Sequence, residues 1–365
     1  MSERLLLGFE AAQQVWRTVG RRVAVDNPPT PTRPPLLVRI LFERGAGIEL
    51  GSMPRRTRAS TVPESLDGAR AAHVRITLDE CPSTLDLCVS RQRGRRFLAG
   101  ARCHLMTGSY PVGSFFELGE GVMVTCPELT FLQMSRILSE ELLILYGHEL
   151  CGYFAHGMGE HGFCNCPALT TVSRIEGFLD RLEELRTERG EGMPWGLRRA
   201  RAALVHVRDG AASPEEAVLS MVLTMPRHRG GYGLPPATLN ASVRLGAEAA
   251  ELFGIEEFVC DLRWTGHGLV AEFQGSQHKL RSRRSYDLRK GNVLGADGWT
   301  VIEVDRAMLE RAPLMDEVAK SVSRGLGLRW RQPGARIATC QARLRNRLLR
   351  HLDDMRMRAV DMLAA

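Results

Sequence analysis

Three side chains in one short stretch have the types and spacing to do chemistry on a phosphate. Residues 258–304 read FVCDLRWTGHGLVAEFQGSQHKLRSRRSYDLRKGNVLGADGWTVIEV. Asp261 interrupts one mainly apolar run, Phe258–Trp264; Glu272 interrupts a second, Leu269–Phe273, and Gln274 follows it. Gly266 and Gly268 lie between the runs, which predicts a hairpin. Positions i and i+2 of a strand share a face, so Glu272 and Gln274 point the same way and Asp261 meets them across the hairpin. Carboxylate and amide oxygens converging on one face suit a hard divalent cation, Mg²⁺ or Mn²⁺, with Asp261 and Glu272 as the ligands. Such a centre serves phosphodiester hydrolysis. The competing reading is an internal network. Buried acids are costly unless paired, and Arg263, Arg289 and His278 are nearby partners in sequence.

The elements that must position these residues begin at Ser213. Ser213-Pro-Glu-Glu216 reads as a capped helix start, with Pro214 at the first position and Glu216 closing a capping box. That helix runs to about Met225. A strand follows over Thr238–Val243, with Asn240 as its interruption, then the hairpin, a basic helix over about Ser285–Ala296 and a strand at Thr300–Val304. Between 279 and 290 the chain carries Lys279, Arg281, Arg283, Arg284, Arg289 and Lys290 against Asp287. That segment flanks the acids and suits phosphates. Gln277, His278, Arg283, Arg284, Arg289 and Asn292 are the candidate nucleic-acid contacts, although a solvated charged helix has the same composition.

Residues 213–305 resemble the Vsr-like endonuclease domains of the PD-(D/E)XK nuclease superfamily. The likeness is carried by SPEE at 213–216, GLPPATLN at 233–240, CDLRW at 260–264, VAEFQGSQH at 270–278, YDLRKGNVLGADGW at 286–299 and VIEVD at 301–305. The α–β–β–β–α–β order is similar to the core of the restriction-endonuclease-like fold. The resemblance implies a mixed sheet flanked by helices and a Mg²⁺- or Mn²⁺-dependent DNA endonuclease. It places Glu216, Asp261, Glu272 and Gln274 at the catalytic positions. Gln274 departs from the pattern, since that position is usually acidic in the group and Lys in the wider superfamily. The departure favours an alternative, a DNA-binding or toxin–antitoxin type regulator that keeps the fold without cutting.

The first half has a resemblance of its own. LLLGFEAAQQVWR at 5–17, LDLCVSRQRGRR at 85–96 and GVMVTCPELTFLQMSRILS at 121–139 are similar to regions shared with AbiEi-type abortive-infection regulators, which implies a defence context and a partner protein. The reading predicts a helix over 1–26, a Pro-rich and basic linker over 27–65, an α+β domain over 66–190, a connecting helix over 191–212, the nuclease-like domain over 213–330 and a basic helix over 331–365. Within 66–190, strands are predicted at His73–Leu78, Leu85–Val89, Cys103–Met106, Ser114–Leu118 and Val122–Thr125. A long helix is predicted over Pro127–Leu145, stopped by Gly147. The fold class is α/β (α+β).

Several other readings are weighed. Cys151, His156, His161, Cys164 and Cys166 are of zinc-ligand type, but Cys164-x-Cys166 is too tight a spacing for the usual pair. Over Arg336–Arg358 an amphipathic helix carries Arg343, Arg345, Arg347 and Arg350, which reads either as a helix docked on its own protein or as a DNA-backbone contact. The net charge of +7 favours polyanionic partners. The nine cysteines are scattered, no apolar run approaches the ~18 residues of a membrane span, and the start lacks a signal pattern. The expected location is therefore cytoplasmic, with reduced thiols. Phosphate-loop, nucleophile-elbow and HExxH motifs are absent.

Overall fold

The computed structural model describes residues 4–26, 55–57, 59–66, 84–95, 97–119, 121–157, 162–275 and 290–364. Of the linker predicted over 27–65, residues 27–54 and 58 lie outside them, as do the strand predicted at His73–Leu78 and residues 276–289; within that linker Arg55–Arg56 is a strand, not loop. The chain is an α+β protein with mixed sheets, and it divides into two compact units. Residues 1–151 and 165–207 form the first; residues 152–164 and 208–365 form the second.

The first unit is built on a six-stranded sheet in the order β2-β5-β6-β1-β3-β4. Its strands are β1 (Leu5–Leu7), β2 (Arg55–Arg56), β3 (Leu85–Val89), β4 (Ala101–Leu105), β5 (Phe115–Gly119) and β6 (Val122–Thr125). The single helix predicted at the N-terminus is corrected here. Leu5–Leu7 is a central strand, parallel to β6 and antiparallel to β3, and α1 (Phe9–Asp26) begins only afterwards. All three leucines are fully buried, as expected for an interior strand covered on both faces.

The helix predicted over Pro127–Leu145 is two helices, α2 (Pro127–Met134) and α3 (Glu140–Cys151). Cys126 caps the first through its thiol. Gly147 does not stop a helix but sits inside α3, where a Cβ would approach a Val207 methyl to 2.5 Å. Glycine there answers close packing. The helices α1 and α3 are also joined by a buried two-pronged ion pair, Arg17 Nε and Nη2 donating to Glu149 Oε1 and Oε2 at 2.7 Å each. The unit closes with α4 (Val172–Glu188), capped by Thr171, and α5 (Leu197–Leu204). The chain between α3 and α4, of which residues 152–164 belong to the second unit, forms a small two-stranded sheet, β7 (Phe154–His156) with β8 (Phe163–Asn165), in a stretch that reads as loop in sequence.

The second unit carries the four-stranded sheet β12-β11-β10-β9. In chain order it runs α6 (Pro214–Thr224), β9 (Thr238–Arg244), α7 (Ala247–Phe253), β10 (Glu257–Trp264), β11 (Leu269–Gln274), a helix α8 over 290–296, β12 (Thr300–Asp305), α9 (Arg306–Glu310), α10 (Ala312–Gly325) and α11 (Ala335–Ala364). The predicted hairpin is present, with Leu262 opposite Ala271 and Trp264 opposite Leu269. β12 runs parallel to β11, which requires a crossover, and α8 lies in that connection. Val293 and Leu294 of α8 are fully buried in one cluster with Val243, Phe258, Cys260 and Val270. That packing fixes α8 against the sheet. The short helices α7 and α9 have no forewarning in the sequence reading. Among the described residues no helix is long and apolar enough to cross a membrane.

Candidate active site

The register of the second sheet brings the acids together. Leu262 pairs with Ala271 on one side and Leu239 on the other, so Asp261 stands one place along toward Glu272 and Asn240. Asp261 Oδ2 accepts a hydrogen bond from the Phe273 N–H at 2.6 Å, which ties its carboxylate to the strand that carries Glu272. Glu272 is opposite Glu303 and Gln274 opposite Asp305 on β12, and Gln274 lies two residues beyond Glu272 on the same strand. Asp305 is occupied in capping α9 through the Met308 N–H.

Glu216 lies at the start of α6, and its carboxylate is held firmly. Oε2 accepts from Ala212 N at 2.8 Å and Asn240 Nδ2 at 2.6 Å, and Oε1 accepts from Ser213 Oγ at 2.9 Å. Its own N–H donates to Ser213 Oγ at 3.2 Å, which is the serine half of the predicted capping box, while the Glu216 carboxylate reaches the Ala212 N–H instead of that of Ser213. Asn240 reaches it from a left-handed backbone conformation, φ 44°, which Asn adopts more readily than most residues. With these bonds in place, both Glu216 carboxylate oxygens are already engaged.

In sequence Lys290 looks like one more member of a basic run. It is the first described residue of α8 and is buried to 8% exposure. Its Nζ donates to Glu272 Oε2 at 2.7 Å and to the Val259 carbonyl at 2.6 Å. A signal was present: Lys290 precedes Val293 and Leu294 by three and four residues, which places it on their inward face. Asn292, two residues on, is exposed on another side of the helix and is not brought to the acids. Arg263 does not pair with the acids either. Its Nη1 donates to the Ser242 carbonyl at 2.7 Å, and its guanidinium lies over the Trp299 ring at 5.5 Å. Gln277, His278, Arg283, Arg284 and Arg289 lie outside the described residues.

The electrostatics show a crowd of negative charge. Burial pushes the Asp261 carboxyl well above the ordinary range, and the neighbouring Glu216 and Glu272 carboxylates push it further. Glu216 is raised chiefly by burial, with Glu272 adding to the shift. Burial opposes the Lys290 charge, but Glu272, Cys260 and Asp261 together outweigh it and the ammonium is raised. Glu272 Oε1 is buried with no hydrogen-bond partner among the described residues.

Asp261 and Glu272 are the residues that could hold a divalent cation, since their oxygens are hard ligands and include that unpartnered atom. Among the described residues no three His, Cys, Asp or Glu side chains form a ready metal cage. Of the zinc-type residues, His161 lies outside the described set, and Cys151, Cys164 and Cys166 form no disulfide.

A prediction follows from the sign of these shifts. Asp261 binds its proton more tightly folded than unfolded. The stability it contributes is full below the ordinary carboxyl range and is lost as pH rises through its raised folded value. Asp261→Asn is therefore expected to raise the thermal midpoint of the metal-free protein at pH 8 and to change it less at pH 4. Mn²⁺ held at a fixed concentration, about 100 times its dissociation constant at pH 8, is expected to stabilise the wild type by about 2.7 kcal/mol at pH 8 and by less at pH 5, and to leave Asp261→Asn unmoved. Equal Mn²⁺ shifts in both proteins, read by differential scanning fluorimetry, contradict the assignment.

The fold and the site define an α+β protein whose second unit sets two acids on a mixed four-stranded sheet and a lysine on the helix packed against it. Comparisons with protein families, with curated proteins and with solved structures find no match to this chain.

Proposed function

We propose that the second unit is a metal-dependent nuclease centre that hydrolyses DNA phosphodiesters, related to the Vsr-like endonuclease domains and working in a defence or repair setting. The observation that carries this reading is the Lys290 ammonium hydrogen-bonded to Glu272 beside Asp261. Gln274 carries no charge, and a buried ammonium from the next helix supplies the cation that Gln274 lacks. A bound Mg²⁺ or Mn²⁺ would activate water and neutralise charge on the phosphate. Asp261 and Glu272 would hold that ion. Lys290 lends positive charge to the developing anion, Gln274 orients a water through its amide, and Glu216 with Asn240 fixes the positions of the acids. Gln277, His278, Arg283, Arg284 and Arg289 are the proposed contacts to DNA. The first unit, by its likeness to abortive-infection regulators, is proposed to receive a partner protein, and the proposed site of action is the cytoplasm.

The neutral Gln274 also favours a second reading, a regulator that binds DNA without cutting it. Incubation of the full chain with supercoiled plasmid separates the two. Open-circular product with Mg²⁺ or Mn²⁺ and none with EDTA supports the nuclease. A mobility shift with no product under either metal supports the regulator.

A further inference from the structure

The long helix α11 has two faces of different character. Leu344, Leu348, Leu349 and Leu352 are buried, so the apolar face is already covered by the protein's own second unit. Arg345 belongs to that inner face, at 3% exposure, and is no part of any surface, although its neighbours in sequence are. Arg336, Arg343, Arg347 and Arg350 are exposed. Their spacings of seven, four and three residues put them on one stripe of the helix. At 1.5 Å per residue the stripe is about 21 Å long.

Arg329 and Arg331 in the preceding loop are exposed as well. From Gly325 to Leu352 the sequence holds no Asp or Glu, and Arg329, Arg331, Arg336 and Arg343 form no ion pair among the described residues. The first acids, Asp353 and Asp354, follow the stripe, and Asp353 is taken by Arg306. Exposed guanidinium groups such as those of Arg329, Arg331, Arg336 and Arg343 suit rows of phosphates, which they grip in pairs of hydrogen bonds. A membrane surface is a poorer match, because an interfacial helix needs a free apolar face and this one is buried.

We propose that the exposed arginine face of α11, with Arg329 and Arg331, is a second nucleic-acid surface that holds the duplex phosphate backbone without metal and without regard to base sequence. The proposal rests on the nucleic-acid reading above and deepens it. DNA is retained through α11, while the acids and Lys290 act on a single phosphodiester.

The test is fluorescence anisotropy of two labelled 20-bp duplexes of unrelated sequence with the full-length protein in EDTA, titrated from 50 to 200 mM KCl. Arg336→Ala/Arg343→Ala/Arg350→Ala is expected to lower the slope of log K against log salt by about 2.7, or ~0.9 for each lost contact, with the two duplexes responding alike. A charge-matched control, Arg181→Ala/Arg198→Ala/Arg199→Ala, keeps the wild-type slope, and the Lys version of the α11 triple variant recovers most of it. An unchanged slope in the α11 variant overturns the proposal. So does an equal loss in the control, which makes net charge the cause, or tighter binding to anionic phosphatidylserine vesicles than to duplex. Plasmid nicking with Mn²⁺ is read in parallel. Steep salt dependence without nicking sinks the nuclease centre and supports this surface, and nicking with an unchanged slope sinks this surface alone.

Discussion

Lys290→Met is expected to lower metal-dependent plasmid nicking by at least about 100-fold, the usual loss when one preorganised electrostatic group is removed from a hydrolytic site. The side chain is buried, its ammonium is held by Glu272 and the Val259 carbonyl, and its pKa is raised, so the charge persists at every pH of interest. Met keeps the stem and removes the charge. Because Lys290 is not a metal ligand, the Mn²⁺-dependent rise in thermal midpoint should survive the substitution, which separates a catalytic loss from a collapsed site. Lys290→Arg restores a cation with a different shape and should recover only part of the rate. Nicking at the wild-type rate by a well-folded Lys290→Met protein removes this residue from the account.

Glu149→Leu should cost the first unit about 3–5 kcal/mol. Arg17 and Glu149 are 7% and 4% exposed, and they join α1 to α3 through two parallel 2.7 Å bonds. Removing the acid leaves a guanidinium largely shut away from water. For a unit of this size the thermal midpoint falls by roughly 10 °C. The double substitution Arg17→Met/Glu149→Leu should recover most of the loss, because an apolar pair carries no buried charge. Calorimetry of the three proteins decides the matter. Equal losses in the single and double variants would show that packing, not the uncompensated charge, is responsible.

The second unit is far more legible in sequence than the first, for physical reasons. Its strands alternate, its α6 start is written in Ser213, Pro214 and Glu216, and its hairpin is marked by two glycines. Each of these is a local signal with a local cause. Leu5–Leu7 carries no such signal. Three successive leucines satisfy a helix face as readily as a buried strand, and only pairing with β6 and β3, more than 75 residues away, decides between them. Gly147 misleads for the same reason, since what demands it is the Val207 side chain rather than the local backbone.

In the site, Asp261 and Glu272 stand out because charge in an apolar strand is unusual. The roles of Lys290 and Asn240 stay hidden. Lys290 looks like one more base in a basic run until Val293 and Leu294 turn it inward, and Asn240 looks like a flaw in a strand until Glu216 meets it.

The most direct test of the central claim is the initial rate of Mn²⁺-dependent nicking of supercoiled plasmid by the wild type, Asp261→Ala and Glu272→Ala, purified side by side and matched for thermal stability. Metal-dependent nicking by the wild type, with each substitution lowering the rate by at least about 100-fold, is the predicted result. Nicking that is indifferent to both substitutions contradicts it.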